Sequence, residues 1–212
     1  MEIINELAQQ YAEIFSTPED GLLHEIASFT HSSRKDSHML SGHLQGKFLE
    51  MISCLLQPKR ILEIGTFVGY SAICLAKGLQ KDGQLHTIEL RKEDAEISTE
   101  NFHKANIPGK IILHYGNAIE ILPDLHETWD LVFIDADKTN YINYYHLVLP
   151  SVRSGGLIIA DNVFFHGEVL EKEKKGKNAL AIHAFNEMIK NDDSVEKVML
   201  TVRDGLLLIR KK

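Results

Sequence analysis

From residue 60 onward, short apolar runs alternate with longer segments of helix length, and this alternation constrains the fold more than any other feature of the chain. Five of the runs have the length and composition of strands: residues 60–64, 84–89, 110–115, 130–134 and 157–160. Four segments between them have the length of helices: residues 71–79, 93–105, 118–122 and 141–152. Strands that alternate with helices predict an α/β fold, in which helices cover both faces of a parallel, doubly wound sheet.

The end of the chain departs from this alternation. A further helix is predicted at residues 178–190, and two apolar runs follow it at residues 195–202 and 206–210. The sequence Arg203-Asp204-Gly205 between these runs is typical of a turn, so the two runs are expected to form a β-hairpin. With the five earlier strands, the hairpin would complete a sheet of seven strands.

The first sixty residues are predicted to be mainly helical. In the first helix an apolar residue recurs every three or four positions, at Ile3, Leu7, Tyr11 and Ile14. A second helix is expected from about Asp20, with four apolar residues on one face: Leu22, Leu23, Ile26 and Phe29. Residues 30–44 are expected to form a polar loop, and a third helix is expected from Gly46. No linker is apparent, so residues 1–212 are interpreted as one domain, with N-terminal helices and a lid loop in residues 1–45 and the core in residues 46–212.

The composition limits the classes of function. The 212 residues are 44% hydrophobic and 25% charged, as expected for a globular protein, and the net charge of −7 disfavours nucleic-acid binding. The start of the chain lacks the basic and apolar parts of a signal peptide, and no apolar run approaches the roughly 20 residues needed to cross a membrane. Cys54 and Cys74 lie in apolar helical segments, where they are expected to be buried thiols without a disulfide. A cytoplasmic protein with neither nucleic-acid nor membrane partners is therefore expected.

Two polar clusters follow predicted strands. Asp135-Ala136-Asp137-Lys138 comes directly after one apolar run, and Asp161-Asn162 comes directly after another. Because ligands of open α/β sheets bind outside the carboxyl ends of the strands, we expect the two clusters to meet. The carboxylates of Asp135 and Asp161 and the amide oxygen of Asn162 suit a divalent cation, with Mg²⁺ favoured and Mn²⁺ or Ca²⁺ left open. Lys138 is a candidate general base beside this cation.

A glycine-containing turn follows the first predicted strand. Gly65 and Gly69 have the spacing G-x-x-x-G, which differs from the G-x-G-x-x-G of dinucleotide-binding folds. Glu63 precedes the turn and would disfavour a phosphate but suit a cationic ligand. Glu89 ends the second strand, where an acid can accept hydrogen bonds from both hydroxyls of a ribose. These features favour S-adenosylmethionine (SAM), a cationic nucleoside without a phosphate chain.

Four motifs in this sequence resemble those of the cation-dependent O-methyltransferases, the group that contains catechol and caffeoyl-CoA O-methyltransferases, and most closely their small bacterial members. The motifs are Met39-Leu40-Ser41-Gly42 with Gly46, Glu63-Ile64-Gly65 through Gly69-Tyr70-Ser71, Asp135-Ala136-Asp137-Lys138, and Asp161-Asn162. The resemblance runs from about Met39 to the end of the chain. It implies a Rossmann-like class I methyltransferase fold, with a mostly parallel seven-stranded sheet whose last strand is antiparallel and with extra N-terminal helices.

The same resemblance implies roles for individual residues. Nine residues are expected to contact SAM: Ser41, Glu63, Gly65, Thr66, Gly69, Ser71, Glu89, Ala118 and Asp137. Asp135, Asp161 and Asn162 are expected to bind the metal ion. A homodimer that uses the N-terminal helices is also implied.

The expected acceptor is a small aromatic molecule with two adjacent hydroxyls, because a vicinal diol can offer two oxygens to one metal ion. Lys138, next to Asp135, is hypothesised to take the proton from the hydroxyl that becomes methylated. Many relatives have a tryptophan soon after the Asp-Asn pair, whereas this chain has Val163-Phe164-Phe165-His166. Met39 and His166 are the candidates for contact with the acceptor.

Three alternative functions fit the sequence less well. Methyltransferases that act on nitrogens of nucleic acids or proteins often have an Asn-Pro-Pro-aromatic loop after the fourth strand, and this chain has Asp135-Ala136-Asp137-Lys138 there. A catalytically silent protein that only binds SAM or serves as a scaffold would be expected to have lost its ligands, yet Glu89, Asp161 and Asn162 are present. The glycine spacing also disfavours a nicotinamide dehydrogenase.

Other polar and aromatic residues receive structural interpretations. The spacing of His31, His38 and His43 fits no zinc site, so these histidines are expected to lie in the polar lid loop. Three tyrosines recur at helical spacing and are expected to pack in the core or at a subunit contact: Tyr141, Tyr144 and Tyr145.

Overall fold

The computed structural model of this protein describes residues 5–212, and Ile3, expected in the first helix, lies outside them. Within that range the chain forms one seven-stranded sheet. The strands are β1 (Arg60–Ile64), β2 (Gln84–Glu89), β3 (Ile111–Tyr115), β4 (Trp129–Ile134), β5 (Val152–Asp161), β6 (Val195–Leu200) and β7 (Leu206–Lys211). The predicted strand and helix alternation is therefore confirmed.

Eight α-helices accompany the sheet within residues 5–212. They are α1 (Glu6–Ile14), α2 (Gly21–Ser33), α3 (Gly42–Leu56), α4 (Tyr70–Ala76), α5 (Lys92–Lys104), α6 (Ala118–Ile121), α7 (Tyr141–Val148) and α8 (Lys177–Lys190). The predicted start of α2 at Asp20 is correct, since the Asp20 carboxylate accepts a hydrogen bond from the Leu23 amide at 2.9 Å. None of these helices combines the length and the apolar character needed to cross a bilayer.

The strand order is β3-β2-β1-β4-β5-β7-β6. Strands β1 to β5 are mutually parallel, and β7 pairs antiparallel with both β5 and β6. The predicted hairpin is present, with Arg203 and Gly205 at positive φ in its turn. From β1 the chain continues to β2 and β3 on one side, and it then returns to β4 on the other side of β1. Open α/β sheets have a ligand-binding crevice at the carboxyl ends of the strands where the strand order changes in this way.

Both faces of the sheet are buried. On one face, Val132 and Ile134 of β4 pack against the α7 and α8 side chains Tyr145 and Phe185. On the other face, Leu131 and Phe133 pack with Leu49 of α3 and Leu75 of α4. Alternate residues of one strand thus enter two separate cores, which is why the parallel strands are apolar throughout.

Several predicted boundaries were wrong. The polar loop expected at residues 30–44 is shorter, because α2 continues to Ser33 and α3 begins at Gly42 rather than Gly46. Thr30 lies inside α2, where its buried hydroxyl donates to the Ile26 carbonyl at 2.7 Å. The helix expected to reach residue 152 ends at Val148, since Pro150 follows and β5 already begins at Val152.

Some apolar residues are more exposed than their helical spacing suggested. No side chain of α1 is buried, and Leu7, Tyr11 and Ile14 are all exposed. Phe29 of α2 is 59% exposed, although Leu23 and Ile26 on the same helix are buried. Cys74 is buried as expected, but Cys54 is exposed and both thiols are free. An apolar periodicity in the sequence predicts which side of a helix is apolar, but it does not predict whether another element covers that side.

The turn after β1 approaches the end of β4 very closely. Gly65 has a φ of 98°, and a Cβ at this position would lie 2.0 Å from the Asp135 carbonyl oxygen. The Asp135 amide in turn donates to the Ile64 carbonyl at 2.9 Å, which extends the β1–β4 pairing. Only glycine accommodates this combination of positive φ and backbone contact.

Two histidines form a half-buried pair on β2 and β3. The His86 Nδ1 atom lies 3.1 Å from the His114 Nε2 atom, and the rings are stacked. A hydrogen bond between two imidazoles needs one nitrogen that donates and one that accepts, so at least the accepting ring is neutral and the two rings are not both protonated in this arrangement. Burial lowers the pKa of both histidines below the usual 6.5, and for His86 the neighbouring His114 lowers it further.

The substitution Gly65→Ala is expected to destabilise the protein by at least about 2 kcal/mol, because the β1 turn and β4 must separate to admit the methyl group. Urea unfolding followed by circular dichroism measures the change. Gly21→Ala is the matched control, since nothing lies within 4 Å of a Cβ at Gly21 and this variant should unfold like the wild type. Equal stability of both variants would contradict the close approach.

The histidine pair predicts a loss of stability in mild acid. Because the folded-state pKa values lie below the unfolded value, only the unfolded chain takes up protons just below pH 6.5. Stability is fully present above that pH and falls as the pH decreases, by up to ~1.4 kcal/mol per pH unit for each such proton. Unfolding free energies between pH 7.5 and 5 should show a shallower slope for His86→Gln than for the wild type. Replacement of the exposed His31 by glutamine should leave the slope unchanged.

Candidate cofactor and metal site

A cavity of about 420 Å³ opens at the carboxyl ends of β1, β2, β4 and β5. Its walls contain most of the residues selected from the sequence: Met39, Ser41, Gly65, Thr66, Ser71, Glu89, Ala118, Asp135, Asp137, Lys138, Asp161, Asn162 and His166. Glu63 and Gly69 do not line it. The fold therefore brings together segments that are more than 160 residues apart in the chain.

Glu63 is fully buried beneath the turn, so it does not face the cavity as the sequence suggested. It follows Ile61 on the face of the sheet that α3 and α4 cover, because side chains alternate along a strand. Its Oε2 atom accepts a hydrogen bond from the Thr87 hydroxyl at 2.5 Å, and its buried Oε1 atom has no partner. Burial raises the pKa of Glu63 to about 8, although the hydrogen bond from Thr87 opposes this rise.

Glu89 closes the turn between β1 and α4. Its Oε2 atom accepts hydrogen bonds from the amides of Thr66 and Phe67 at 3.1 and 2.7 Å. Its Oε1 atom accepts one from the Arg91 amide at 2.8 Å. The carboxylate lies in the cavity wall with lone pairs left over, so it both shapes the turn and offers acceptors to a ligand.

The Asp135 loop carries a buried cation. The Lys138 ammonium donates to Asp135 Oδ1 at 2.9 Å and to the Tyr141 hydroxyl at 2.7 Å. Burial lowers the pKa of Lys138, but Asp135, Tyr141 and Asp161 together raise it by more, so the net shift is upward. With these neighbours alone, Lys138 is protonated.

Asp161 ends β5 opposite Asp135. Its Oδ2 atom accepts a hydrogen bond from the Gln45 amide at 2.5 Å, and its Oδ1 atom accepts one from the Asn162 amide at 2.7 Å. Burial and the negative charge of Asp135 raise the pKa of Asp161 well above its usual range. Asn162 follows with a φ of 56°, a left-handed conformation that asparagine tolerates better than most residues.

The donor set fits a divalent cation in its chemistry. Two carboxylates and one amide offer hard oxygen ligands, the donors that divalent cations such as Mg²⁺ prefer. Within residues 5–212 no cluster of three or more histidine, cysteine, aspartate or glutamate side chains is arranged to hold a metal ion. A cation at this site would therefore be bound by Asp135, Asp161 and Asn162. Its other coordination positions would be left for small ligands.

Asp137 is fixed by residues that follow it. Its carboxylate accepts hydrogen bonds from the Asn140 amide at 2.7 Å, from the Thr139 hydroxyl at 3.2 Å and from the Tyr144 hydroxyl. The side chain is thereby oriented at the cavity wall before any ligand binds.

The two acceptor candidates lie at the open side of the cavity. Met39 is 40% exposed, and the His166 side chain is 70% exposed. The His166 backbone is fixed, since its amide donates to Asp204 Oδ1 at 2.7 Å, while its ring is directed to solvent. Phe165, adjacent to it, also lines the cavity. These side chains are placed at the entrance rather than at the Asp135–Asp161 end.

Sequence reasoning missed two polar contacts of this site. Tyr141 is fully buried as expected, but its hydroxyl also lies 3.0 Å from the Asp161 carbonyl and 3.2 Å from the Ile134 carbonyl, so it joins the ends of β4 and β5. Gln45 was not predicted, although its position between Ser41 and Gly46 of a recognised motif was a signal in the sequence. The three histidines expected in the polar lid loop are not all there: His31 lies in α2, His43 lies in α3, and His38 lies between these helices. A His43 ring nitrogen lies 2.7 Å from the Thr17 carbonyl oxygen.

Comparison with known proteins is consistent with this geometry. A family model described as O-methyltransferase matches residues 13–212. The catechol O-methyltransferase of Niastella koreensis is 38% identical over 160 residues, which cover 74% of this chain and 72% of that protein. Caffeoyl-CoA O-methyltransferase 2 of Zea mays is 35% identical over 179 residues, which cover 79% of this chain and 68% of the maize protein.

A solved structure agrees over nearly the whole chain. The O-methyltransferase TomG from Streptomyces achromogenes, involved in tomaymycin synthesis and crystallised in complex with SAM, superposes with a TM-score of 0.88. It is 30% identical, and the match covers 99% of this chain and 100% of TomG. The family match, the relatives and the shared fold therefore show that this chain belongs to the O-methyltransferase family and is a SAM-dependent O-methyltransferase.

Proposed function

We propose that this enzyme transfers the methyl group of SAM to one hydroxyl of a small aromatic vicinal diol, with the help of a divalent cation. One observation carries the proposal: Asp135, Asp161 and Asn162 meet at one end of a cavity that also contains Lys138 and the glycine turn. The names of two relatives, catechol and caffeoyl-CoA O-methyltransferase, support an aromatic acceptor of this kind.

The proposed cation ligands are Asp135, Asp161 and Asn162. Oxygen ligands of this kind favour Mg²⁺, and Mn²⁺ or Ca²⁺ suit the same donors. A bound divalent cation would lower the pKa of an acceptor hydroxyl and orient its oxygen. The residues themselves contribute a pair of carboxylates that is held in place by Gln45, Lys138 and the Asn162 amide.

The proposed SAM site is the part of the cavity between the β1 turn and the Asp135 loop. Glu89 would accept hydrogen bonds from the ribose hydroxyls, through the carboxylate lone pairs that the turn amides do not use. Gly65 and Gly69 keep the backbone accessible, and the remaining contacts assigned to the cofactor are Ser41, Thr66, Ser71, Ala118 and Asp137. Glu63 would act from beneath the turn, because it can hydrogen-bond to Ser71, which does line the cavity.

Lys138 is the proposed general base for the hydroxyl that becomes methylated. It must lose its own proton first, and Asp135 and Asp161 oppose that loss in the arrangement described here. Neutralising these carboxylates removes the influence that raises the Lys138 pKa, and burial then favours the neutral amine. The Tyr141 hydroxyl, 2.7 Å from the Lys138 nitrogen, keeps the side chain directed into the site.

The proposed acceptor pocket lies between the lid and the segment after β5. Met39 and His166 flank its entrance, and Phe165 offers an aromatic face for a planar ring. We also propose a homodimer in which the exposed apolar side chains of α1 contact a second copy, since contiguous exposed apolar surface is typical of protein interfaces.

Methyl transfer from labelled SAM to a set of catechol-type acceptors tests this function. We expect turnover with Mg²⁺, loss of turnover in EDTA, and recovery when Mg²⁺ is added in excess. Activity that is insensitive to EDTA would contradict the proposed cation. Tight SAM binding without turnover on any diol would instead favour a different acceptor or a silent protein.

The substitution Lys138→Met is expected to reduce kcat by about 10²- to 10⁴-fold at neutral pH, since it removes the proposed general base. The reduction should be much smaller for a nitro-substituted catechol that is already ionised at the assay pH, because no proton then has to be removed. Initial rates at saturating SAM measure both effects. Lys172→Met, at an exposed position that does not line the cavity, is the control. An equal loss for both acceptors would contradict the role as a base.

A further inference from the structure

Gln45 is a buried polar residue of α3 that connects two parts of the site. It is fully buried, and its Nε2 atom donates to Asp161 Oδ2 at 2.5 Å. Its Oε1 atom accepts a hydrogen bond from an Arg203 guanidinium nitrogen at 3.3 Å. The same guanidinium nitrogen donates to the Ser41 carbonyl. Three segments, the start of α3, the end of β5 and the turn before β7, are thus joined through one amide.

The chemistry of the neighbours fixes the orientation of this amide. Arginine has only donors, so the Gln45 oxygen must face Arg203. The ionised Asp161 carboxylate has only acceptors, so the Gln45 NH₂ group must face Asp161. A glutamine satisfies both without adding charge, whereas a glutamate here would repel Asp161 and a lysine would repel Arg203.

The contact also determines how Asp161 is presented. One Asp161 oxygen is held by Gln45 and the other by the Asn162 amide, so the plane of the carboxylate is fixed from two sides. Each oxygen keeps lone pairs for a further ligand. Because Gln45 is neutral, the hydrogen bond orients Asp161 without cancelling its negative charge. Asp135 differs, since a charged lysine holds it.

We propose that Gln45 is a positioning residue for the divalent cation: it holds the Asp161 carboxylate in the geometry that binds the ion and is itself held by Arg203. This inference rests on the proposed cation dependence. Residues that hydrogen-bond to metal ligands typically contribute 10- to 100-fold to metal affinity. Gln45 would therefore act on the cation through Asp161, without contact with either substrate.

Direct titration of the metal-free full-length protein with Mn²⁺, by calorimetry or by electron paramagnetic resonance, tests the proposal without an activity assay. We expect Gln45→Met, which keeps the size of the side chain but removes the donor, to weaken Mn²⁺ binding by about 10-fold or more. Gln45→Asn, a neutral amide one methylene shorter, should show the same loss, so the test does not depend on one variant folding. The affinity for SAM should stay within about two-fold of wild type for both variants.

Ser53→Ala is the matched control, because Ser53 is also a fully buried donor of α3 and bonds to the Leu75 carbonyl at 2.6 Å, away from the cavity. It should bind Mn²⁺ like the wild type, even if its thermal stability falls. Wild-type affinity in both Gln45 variants would overturn the role of Gln45 and leave the proposed cation intact. Absence of Mn²⁺ binding to the wild-type protein would overturn both.

Discussion

The close contact between the end of β1 and the end of β4 is the constraint on which the site depends. Gly65 has no side chain, so its backbone can lie against the Asp135 carbonyl, and the two strands stay paired to their last residues. This pairing occurs where the strand order reverses, so the glycine turn and the Asp135 loop become two walls of one cavity. The proposed SAM site and the proposed acceptor site therefore share a single structural support.

A second constraint is the concentration of charge at this buried edge. Asp161 and Glu63 are both buried, and Asp135, half-buried, lies beside them, but the Lys138 ammonium bonds to Asp135 alone among these three carboxylates. Buried carboxylates are costly unless hydrogen bonds or opposite charges compensate them. Thr87, Gln45 and backbone amides provide the hydrogen bonds, and the remaining negative charge is what a cationic cofactor and a metal ion would balance.

Much of the core was predictable because its signals are local. The bounds of β1 and β2 follow from short apolar runs, and the positions of Asp135 and Asp161 follow from where such runs stop. The N-terminal region was less predictable. The apolar spacing in α1 correctly indicated a helix, but it could not reveal that this face is left exposed. Helix ends were also missed: α2 continues past Thr30 to Ser33, and α7 ends at Val148 because Pro150 follows.

The sequence by itself determined the α/β class, the parallel strands, the terminal hairpin and the presence of polar clusters at strand ends, because periodicity and turn chemistry act over a few residues. Only the tertiary structure decided which distant groups meet. Gln45 reaches Asp161 across 116 positions, and Tyr141 joins the end of β4 to the end of β5. The tertiary structure also placed Glu63 beneath the turn instead of in the cavity. Helix packing decides which face of the sheet is covered, and the Glu63 side chain lies on a covered face. Such contacts depend on how strands are ordered in the sheet, and no local pattern encodes that order.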